Sequence, residues 1–330
     1  MTGHQPDVAL VPVRSPGDWD ALCSGFPHAT AFHRYDFLDC IAPSLRCSFI
    51  PLAVSSQGQA VGLAPLLVKK IGPFCTINWV PFPYLGPLVP AELVPATLQA
   101  LRREARTRRA VNHQQSFAEV ADGAGAGGFA AAWDRTFVVP LAGRTDKELL
   151  AAMHADRRYS IRRAERYGFE VGAADTDDFA LMDDWLSGRY ADQGRPVMYP
   201  AGTCARLFRT LANAPGASFT AARLNGTTSA VLIVFSTAGA AFGWQIATDP
   251  QHRSMHPADL LIWQVMRRAR DEGAIELDLV GAPNEGIARF KSRYGAAERH
   301  YTVLRRQALV HRVAVSAVHR RKPGPADGQE

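Results

Sequence analysis

The feature that most limits what this chain can fold into is a repeat. Two stretches run through the same order of local signals at a nearly constant offset: Trp79 and Trp244 are 165 residues apart, Arg102-Arg103 and Arg267-Arg268 likewise, and Pro90 and Pro257 are 167 apart. In the first stretch, residues 55–70 read as a turn and strand, 76–82 as a second strand, 85–93 as a Pro-containing loop and 93–107 as a helix. In the second, residues 223–236 give the turn and strand, 240–249 the next strand, 251–260 the loop and 260–273 the helix, with a further strand at 274–282. A shared order of strand, loop and helix signals points to a tandem duplication of one α/β unit.

A length of 330 residues suits two domains of ordinary size. The spacing predicts a first domain over 1–140, a second over 141–305, and a C-terminal strand and disordered tail over 306–330. The Gly-rich run at 122–128 marks the junction, followed by an expected short helix at 129–133 and a strand at 137–141. Upstream, residues 8–13 read as a strand, Ser15-Pro16 opens a helix through Leu22, and a second helix covers Arg34 to Ile41. No run approaches the roughly 18 apolar residues of a membrane span, and residues 1–13 lack the pattern of a secretory signal, so we expect a cytoplasmic protein without stable membrane insertion. Five cysteines with no C-x-x-C pair argue against a disulfide framework and a structural zinc site.

The basic set is 37 residues against 31 acidic, and only five of the 37 are lysine. A coding bias accounts for the ratio, so only clustering carries weight. Residues 145–168 read as one helix, with a Thr145/Glu148 capping box and Gly168 as its stop. Helical spacing gathers Leu150, Met153, Ile161 and Ala164 on one face and Arg158, Arg162, Arg163 and Arg166 on the other, either a solvated face or an anion-binding one. Two motifs fail in context. Gly123 to Gly128 satisfy G-x-G-x-x-G without the strand-to-helix setting of a dinucleotide site. Gln59 to Ala64 fit the Q/R-x-x-G-x-G/A pattern that cradles the pyrophosphate of CoA, but a strand follows; the corresponding loop of the second repeat, Arg253 to Ala258, has no glycine and contains Pro257.

The segment Leu260 to Ala296 resembles the Fem-type aminoacyl-tRNA-dependent peptidyltransferases, whose G-[IL]-x-x-F-K-x-x-[FY]-G signature reads here Gly286-Ile287-Ala288-Arg289-Phe290-Lys291-Ser292-Arg293-Tyr294-Gly295. Residues 155–171, 83–89 and 29–41 resemble further segments of that family, with Leu85 standing where relatives often carry Arg. The resemblance implies two tandem GNAT-like domains of the α/β (α+β) class, each a mixed twisted sheet flanked by helices. It also implies an aminoacyltransferase that needs no cofactor and no metal, takes aminoacyl-tRNA as co-substrate, and serves a peptide-like or nucleotide-linked amine acceptor; we expect a monomer. Carried onto this chain it makes Lys291 and Phe290 catalytic and places Arg289, Arg293, Tyr294, Trp244, Asp278, Arg34 and Tyr84 at the substrates. Arg158, Arg162, Arg163, Arg166, Arg267 and Arg268 would hold tRNA. Lys291 has a physical case of its own, since ester aminolysis builds negative charge that a fixed cation stabilises. Asp278, Glu285 and Asp36 are open alternatives for the base. Rival readings are a GNAT-type N-acyltransferase using acyl-CoA or a carrier-protein thioester, and a non-catalytic RNA-binding protein.

Overall fold

The computed structural model describes residues 7–118, 126–194, 197 and 199–308. The first repeat comprises β1 (Val8–Pro12), α1 (Pro16–Ser24), α2 (Tyr35–Ser44), β2 (Ser48–Ser56), β3 (Gln59–Ile71), β4 (Phe74–Ile77), α3 (Val94–Thr107) and β5 (Ala110–Phe117), followed by β6 (Ala130–Pro140). After α4 (Asp146–Ala152) and α5 (Ala155–Tyr167) the same order returns: β7 (Glu170–Ala173), α6 (Thr176–Asp192), α7 (Thr203–Leu211), β8 (Ala217–Leu224), β9 (Thr227–Ser236), β10 (Ala240–Thr248), α8 (Pro257–Asp271) and β11 (Glu276–Asp278). The chain then forms α9 (Glu285–Ser292) and β12 (Ala297–Gln307). The duplication extends to turn geometry. Gln57-Gly58 and Asn225-Gly226 occupy the equivalent hairpin turns with φ of 50° and 79° in both, the left-handed pair that a two-residue hairpin favours. In each repeat the last pairing is parallel, β4 with β5 and β10 with β11.

The strands form one twelve-stranded sheet among the described residues, ordered β1-β2-β3-β4-β5-β12-β6-β11-β10-β9-β8-β7. The two terminal strands are exchanged between the repeats. β6, which precedes residue 140, pairs with β11 and β12, while β12 pairs with β5 as well as β6. The strand that ends at residue 140 thus lies inside the sheet, between β12 and β11. Strand alternation gives three cores. Leu63 and Leu67 of β3 join Val231, Ile233 and Phe235 of β9 in a core shared by both repeats under α1, α2, α6 and α7. The alternate residues face α3 in the first repeat and α4, α5 and α8 in the second.

Two local expectations are corrected. The predicted helix at 129–133 is instead the start of β6, because residues 130–138 are held by the β12 ladder. The predicted single helix at 145–168 is two helices: its capping box and Gly168 stop are present, but Met153 and His154 are extended. The break is made by a distant partner, since the His154 N–H donates to the Arg293 carbonyl at 2.9 Å. His154 then caps α5, its imidazole accepting from the Asp156 N–H. Accordingly Leu149, rather than Leu150, is buried on α4.

Candidate functional site

A cavity of about 720 Å³ lies where the repeats meet. Its walls include Trp79 to Pro83 after β4, Gln114 and Ser116 of β5, Asp134 of β6, Gly243 to Ile246 of β10, Leu277 and residues 279–283, Lys291, and Tyr301, Val303 and Arg305 of β12. The opening follows from strand pairing. β10 and β11 are paired only over Ala240–Phe242 and Glu276–Asp278, and a bulge at Gly243–Gln245 turns β10 away from its neighbour. The edge of β10 beyond Phe242 therefore faces the cavity, with no strand on that side among the described residues. Tyr199, from the second repeat, spans the space: its hydroxyl donates to the Pro81 carbonyl at 3.0 Å and its ring packs edge-on to Trp244.

The equivalent place in the first repeat is closed by the chain itself. Leu63 and Leu88 exchange backbone hydrogen bonds of 2.8 and 2.9 Å. A Cβ on Gly62 would lie 2.2 Å from the Leu88 carbonyl oxygen, so glycine is required there by this close approach. Gly86 meets the Ser116 carbonyl in the same way, at 2.6 Å. Buried Asn78 completes the closure, accepting from Leu67 N–H at 2.7 Å and donating to the Pro65 and Leu85 carbonyls.

The signature segment is helical, and its side chains go to different places. Lys291 Nζ donates to the carbonyls of Leu279 at 2.5 Å, Val280 at 2.9 Å and Gly281, so all three ammonium protons hold the turn between β11 and α9. Burial pulls its pKa down to about 8, against the opposing field of Asp278. Arg289 is exposed, on the far side of α9 from Lys291. Arg293 pairs with Asp156 at 3.1 Å. Phe290 lines the cavity and carries the Arg157 guanidinium 5.4 Å from its centroid. Tyr294 is fully buried and donates to Asp259 at 2.6 Å.

Asp278 is buried beside the cavity wall, accepting from Tyr84 at 2.6 Å, from Thr136 and from the Val280 N–H at 2.7 Å. Burial raises its pKa, and hydrogen bonds from Thr136 and Tyr84 oppose the rise. Burial and the Asp278 charge push the Tyr84 phenol up. These two residues tie the repeats together. Trp244 is a cavity wall. Arg34 lies at the junction of the repeats, held by Asp36 and the Pro215 carbonyl. Glu285 pairs with Arg135 at 2.5 Å.

Sequence reasoning missed Asp134, which is the one carboxylate among the described residues lining the cavity. It is half exposed and lies 3.7 Å from Arg305, whose guanidinium also meets Gln114 at 3.0 Å and sits over Trp79. Its signal in the sequence is a lone acid between Trp133 and Arg135, just ahead of the apolar run at 137–139, and the helix-forming alanines before it mask the strand.

Of the arginines singled out, Arg158, Arg162 and Arg166 share the face of α5 opposite its buried Ile161 and Ala164, with Arg162 and Arg166 exposed. Arg158 donates to the Met153 carbonyl and Arg163 to the Tyr167 hydroxyl at 3.0 Å. Arg267 pairs with Asp146 at 2.8 Å, and Arg268 bonds Ser218 and lies 3.7 Å from Glu272, so both tie α8 to its neighbours.

The N-terminus of α8, where a helix can hold an anion, is largely taken up by the chain itself. Pro257 has no N–H to offer, and those of Gln251, His252, Met255 and His256 are bonded within the turn. In the first helical turn Asp259 is buried, accepting from Arg157 at 2.7 Å as well as Tyr294. The positive end of the helix faces an internal carboxylate.

Residues 155–292 match the family described as "Acetyltransferase (GNAT) domain". No curated protein matches the chain in sequence. Among solved structures it is similar to FemX, with 14% identity, a TM-score of 0.69, and 88% of this chain and 96% of that one covered. It is also similar to L-PGS from Bacillus licheniformis, at 15% identity and a TM-score of 0.60, over 98% of this chain and all of that one. A tandem GNAT protein from the clavulanic acid biosynthesis pathway gives 14% identity and 0.54, over 91% and 98%. The fold is thus the tandem GNAT arrangement, and the Fem-type resemblance read from the sequence extends to the architecture.

Proposed function

We propose that this chain is an aminoacyl-tRNA-dependent aminoacyltransferase that forms an amide bond to the amine of a peptide-like acceptor. Acceptors of this kind occur in peptidoglycan bridges and in peptide or nucleoside antibiotics. The observation that carries the reading is the contrast between the open β10–β11 gap and the filled N-terminus of α8. An acyl group has room beside β10, while a CoA pyrophosphate meets Pro257, used N–H groups and the Asp259 carboxylate. A donor held through RNA phosphates has instead the exposed Arg162 and Arg166 on α5, which packs against α8.

In the reaction the acceptor nitrogen attacks the ester carbonyl, a C–N bond forms, the C–O bond to the tRNA ribose breaks, and the amine proton reaches the leaving oxygen. In this scheme Asp134, the one carboxylate among the described residues lining the cavity, takes that proton from the acceptor and passes it on. Lys291 is a positioning residue in this scheme, holding the 279–281 turn that walls the cavity. Asp134→Asn should lower turnover by about 10²-fold or more with folding retained; turnover near wild type would remove Asp134 from this role.

The test of the reaction is acyl transfer from a pool of radiolabelled aminoacyl-tRNAs, run with and without RNase and with acetyl-CoA in place of the pool. RNase-sensitive transfer to an amine acceptor supports the proposal. Transfer from acetyl-CoA that ignores RNase would replace it with the N-acyltransferase reading.

A further inference from the structure

The β3–β4 hairpin ends in a tip that neither the cavity nor the strand exchange explains. Gly72 and Pro73 form the turn, and Ile71 and Phe74 face each other across it as a cross-strand pair. Both are exposed, by 52% and 42%, although they are large apolar side chains. Lys69 and Lys70 precede them on β3, two of the five lysines in the chain, and both are exposed. Strand pairing brings further cations to this end of the sheet. Ser48 opposite Val68 places Arg46 beside the lysines, and the Cys75 N–H donating to the Arg109 carbonyl at 3.4 Å places Arg106, Arg108 and Arg109 on the other side. Glu104 is the neighbouring carboxylate, and Arg108 occupies it at 2.6 Å. Segments 46–48, 69–76 and 106–111 contain no acidic residue.

We propose that this hairpin tip and its ring of cations form a docking surface for an anionic phospholipid bilayer. The two signals are those that peripheral attachment needs together, an apolar wedge at the acyl boundary and a polybasic patch at the headgroups. A solvated face would mix carboxylates among its cations, and although a phenylalanine among cations could stack on a base, the equally exposed Ile71 beside it offers no ring and suits an acyl boundary. No helix among the described residues is long and apolar enough to cross a membrane, so attachment is from one side. The surface is continuous with the site. Lys69 lines the cavity and lies two residues, about 7 Å, from Ile71 on the same face of β3. Docking therefore brings the cavity mouth to the headgroup layer.

Flotation of the full chain with vesicles tests this independently of the transfer reaction. Vesicles of phosphatidylcholine with phosphatidylglycerol should carry the protein at about 0.1 M salt, where the Debye length is about 10 Å, and vesicles of phosphatidylcholine alone should not. Ile71→Ser/Phe74→Ser and Lys70→Glu/Arg109→Glu change exposed side chains outside the cavity and should keep the wild-type denaturation midpoint. Each double variant should lower the bound fraction about tenfold. Absence of binding to the anionic vesicles overturns the proposal. So does wild-type flotation of the serine variant, which would leave a patch suited to any polyanion, RNA included.

Discussion

The filled terminus of α8 can be tested by removing the carboxylate that fills it. Asp259→Ala deletes the common acceptor of Arg157 and Tyr294. The ion pair is buried, with side-chain exposures of 15% for Arg157 and 6% for Asp259, so the guanidinium would be left without its counter-charge in a poorly solvated place. Breaking a buried pair from one side costs about 3–5 kcal/mol, and the stranded tyrosine hydroxyl adds to this less than additively. Against a total stability of about 5–15 kcal/mol, the variant should be soluble but close to its unfolding threshold. Asp259→Asn keeps an acceptor for Tyr294 and should lose about 2–3 kcal/mol. Urea unfolding at neutral pH reads both. A second readout is specific to the anion site: added pyrophosphate should raise the melting temperature of Asp259→Ala, where Arg157 is free, and leave the wild type unmoved. An alanine variant within about 1 kcal/mol of wild type, or a wild type stabilised by pyrophosphate, would refute the idea that the protein's own carboxylate occupies this site.

Three further outcomes follow from the geometry. Gly62→Ala forces a Cβ into the Leu88 carbonyl and breaks the Leu63–Leu88 exchange, which should cost about 2–4 kcal/mol in urea unfolding; wild-type stability with altered acyl-CoA affinity would instead make Gly62 part of a phosphate cradle. His33 is buried between Thr30 and Gly86, and burial holds its pKa down to about 4. Between pH 6.5 and 4 the unfolded chain takes a proton the native state refuses, so stability falls as pH falls through that window, by about 3 kcal/mol in full. His33→Gln should lose that part of the acid slope, and equal slopes in the two proteins would count against it. Lys291→Met frees three carbonyls at the cavity wall and should lower turnover at least tenfold. Kinetics indistinguishable from wild type would show that the turn does not need its tie.

What was legible in the sequence was what short-range chemistry decides. The Ser15 cap with Pro16, the Thr145/Glu148 box, the Gly168 stop and the apolar runs of β3 and β9 all act within a few residues. The repeat was legible because both copies use those devices in the same order. What escaped depended on partners far along the chain. The break between α4 and α5 is fixed by a carbonyl 139 residues away, at Arg293. β6 owes its strand state to β12, which has no local signature in the alanines at 130–132. The same distance hid the site. Lys291 stood out as a rare lysine in a recognisable segment, yet its role depends on the carbonyls of 279–281 turning toward it. Asp134 stood out in nothing until β5, β6 and β12 were seen side by side.

The exchanged strands explain why a duplicated fold has one shared cavity. In each repeat a parallel pair ends short and leaves a gap, β4–β5 in the first and β10–β11 in the second. The loop of residues 82–89 folds back over the first gap, which Gly62 and Gly86 permit by having no Cβ. Among the described residues the second gap stays open, with Tyr199 reaching across it to Pro81 and no strand or loop pairing along it. Because β6 and β12 cross over, the wall opposite that gap is built from Asp134, Tyr301 and Arg305 rather than from more of the second repeat. In the proposed reaction, an acyl group beside β10 and an acceptor against β6 and β12 would approach from different sides and meet at the seam of the repeats. The buried tie of Tyr84 to Asp278 fixes that seam, since it joins the loop of the first repeat to the end of β11 in the second. Two repeats supply two frames, and closing one gap while exchanging two strands makes them the two sides of a single cavity.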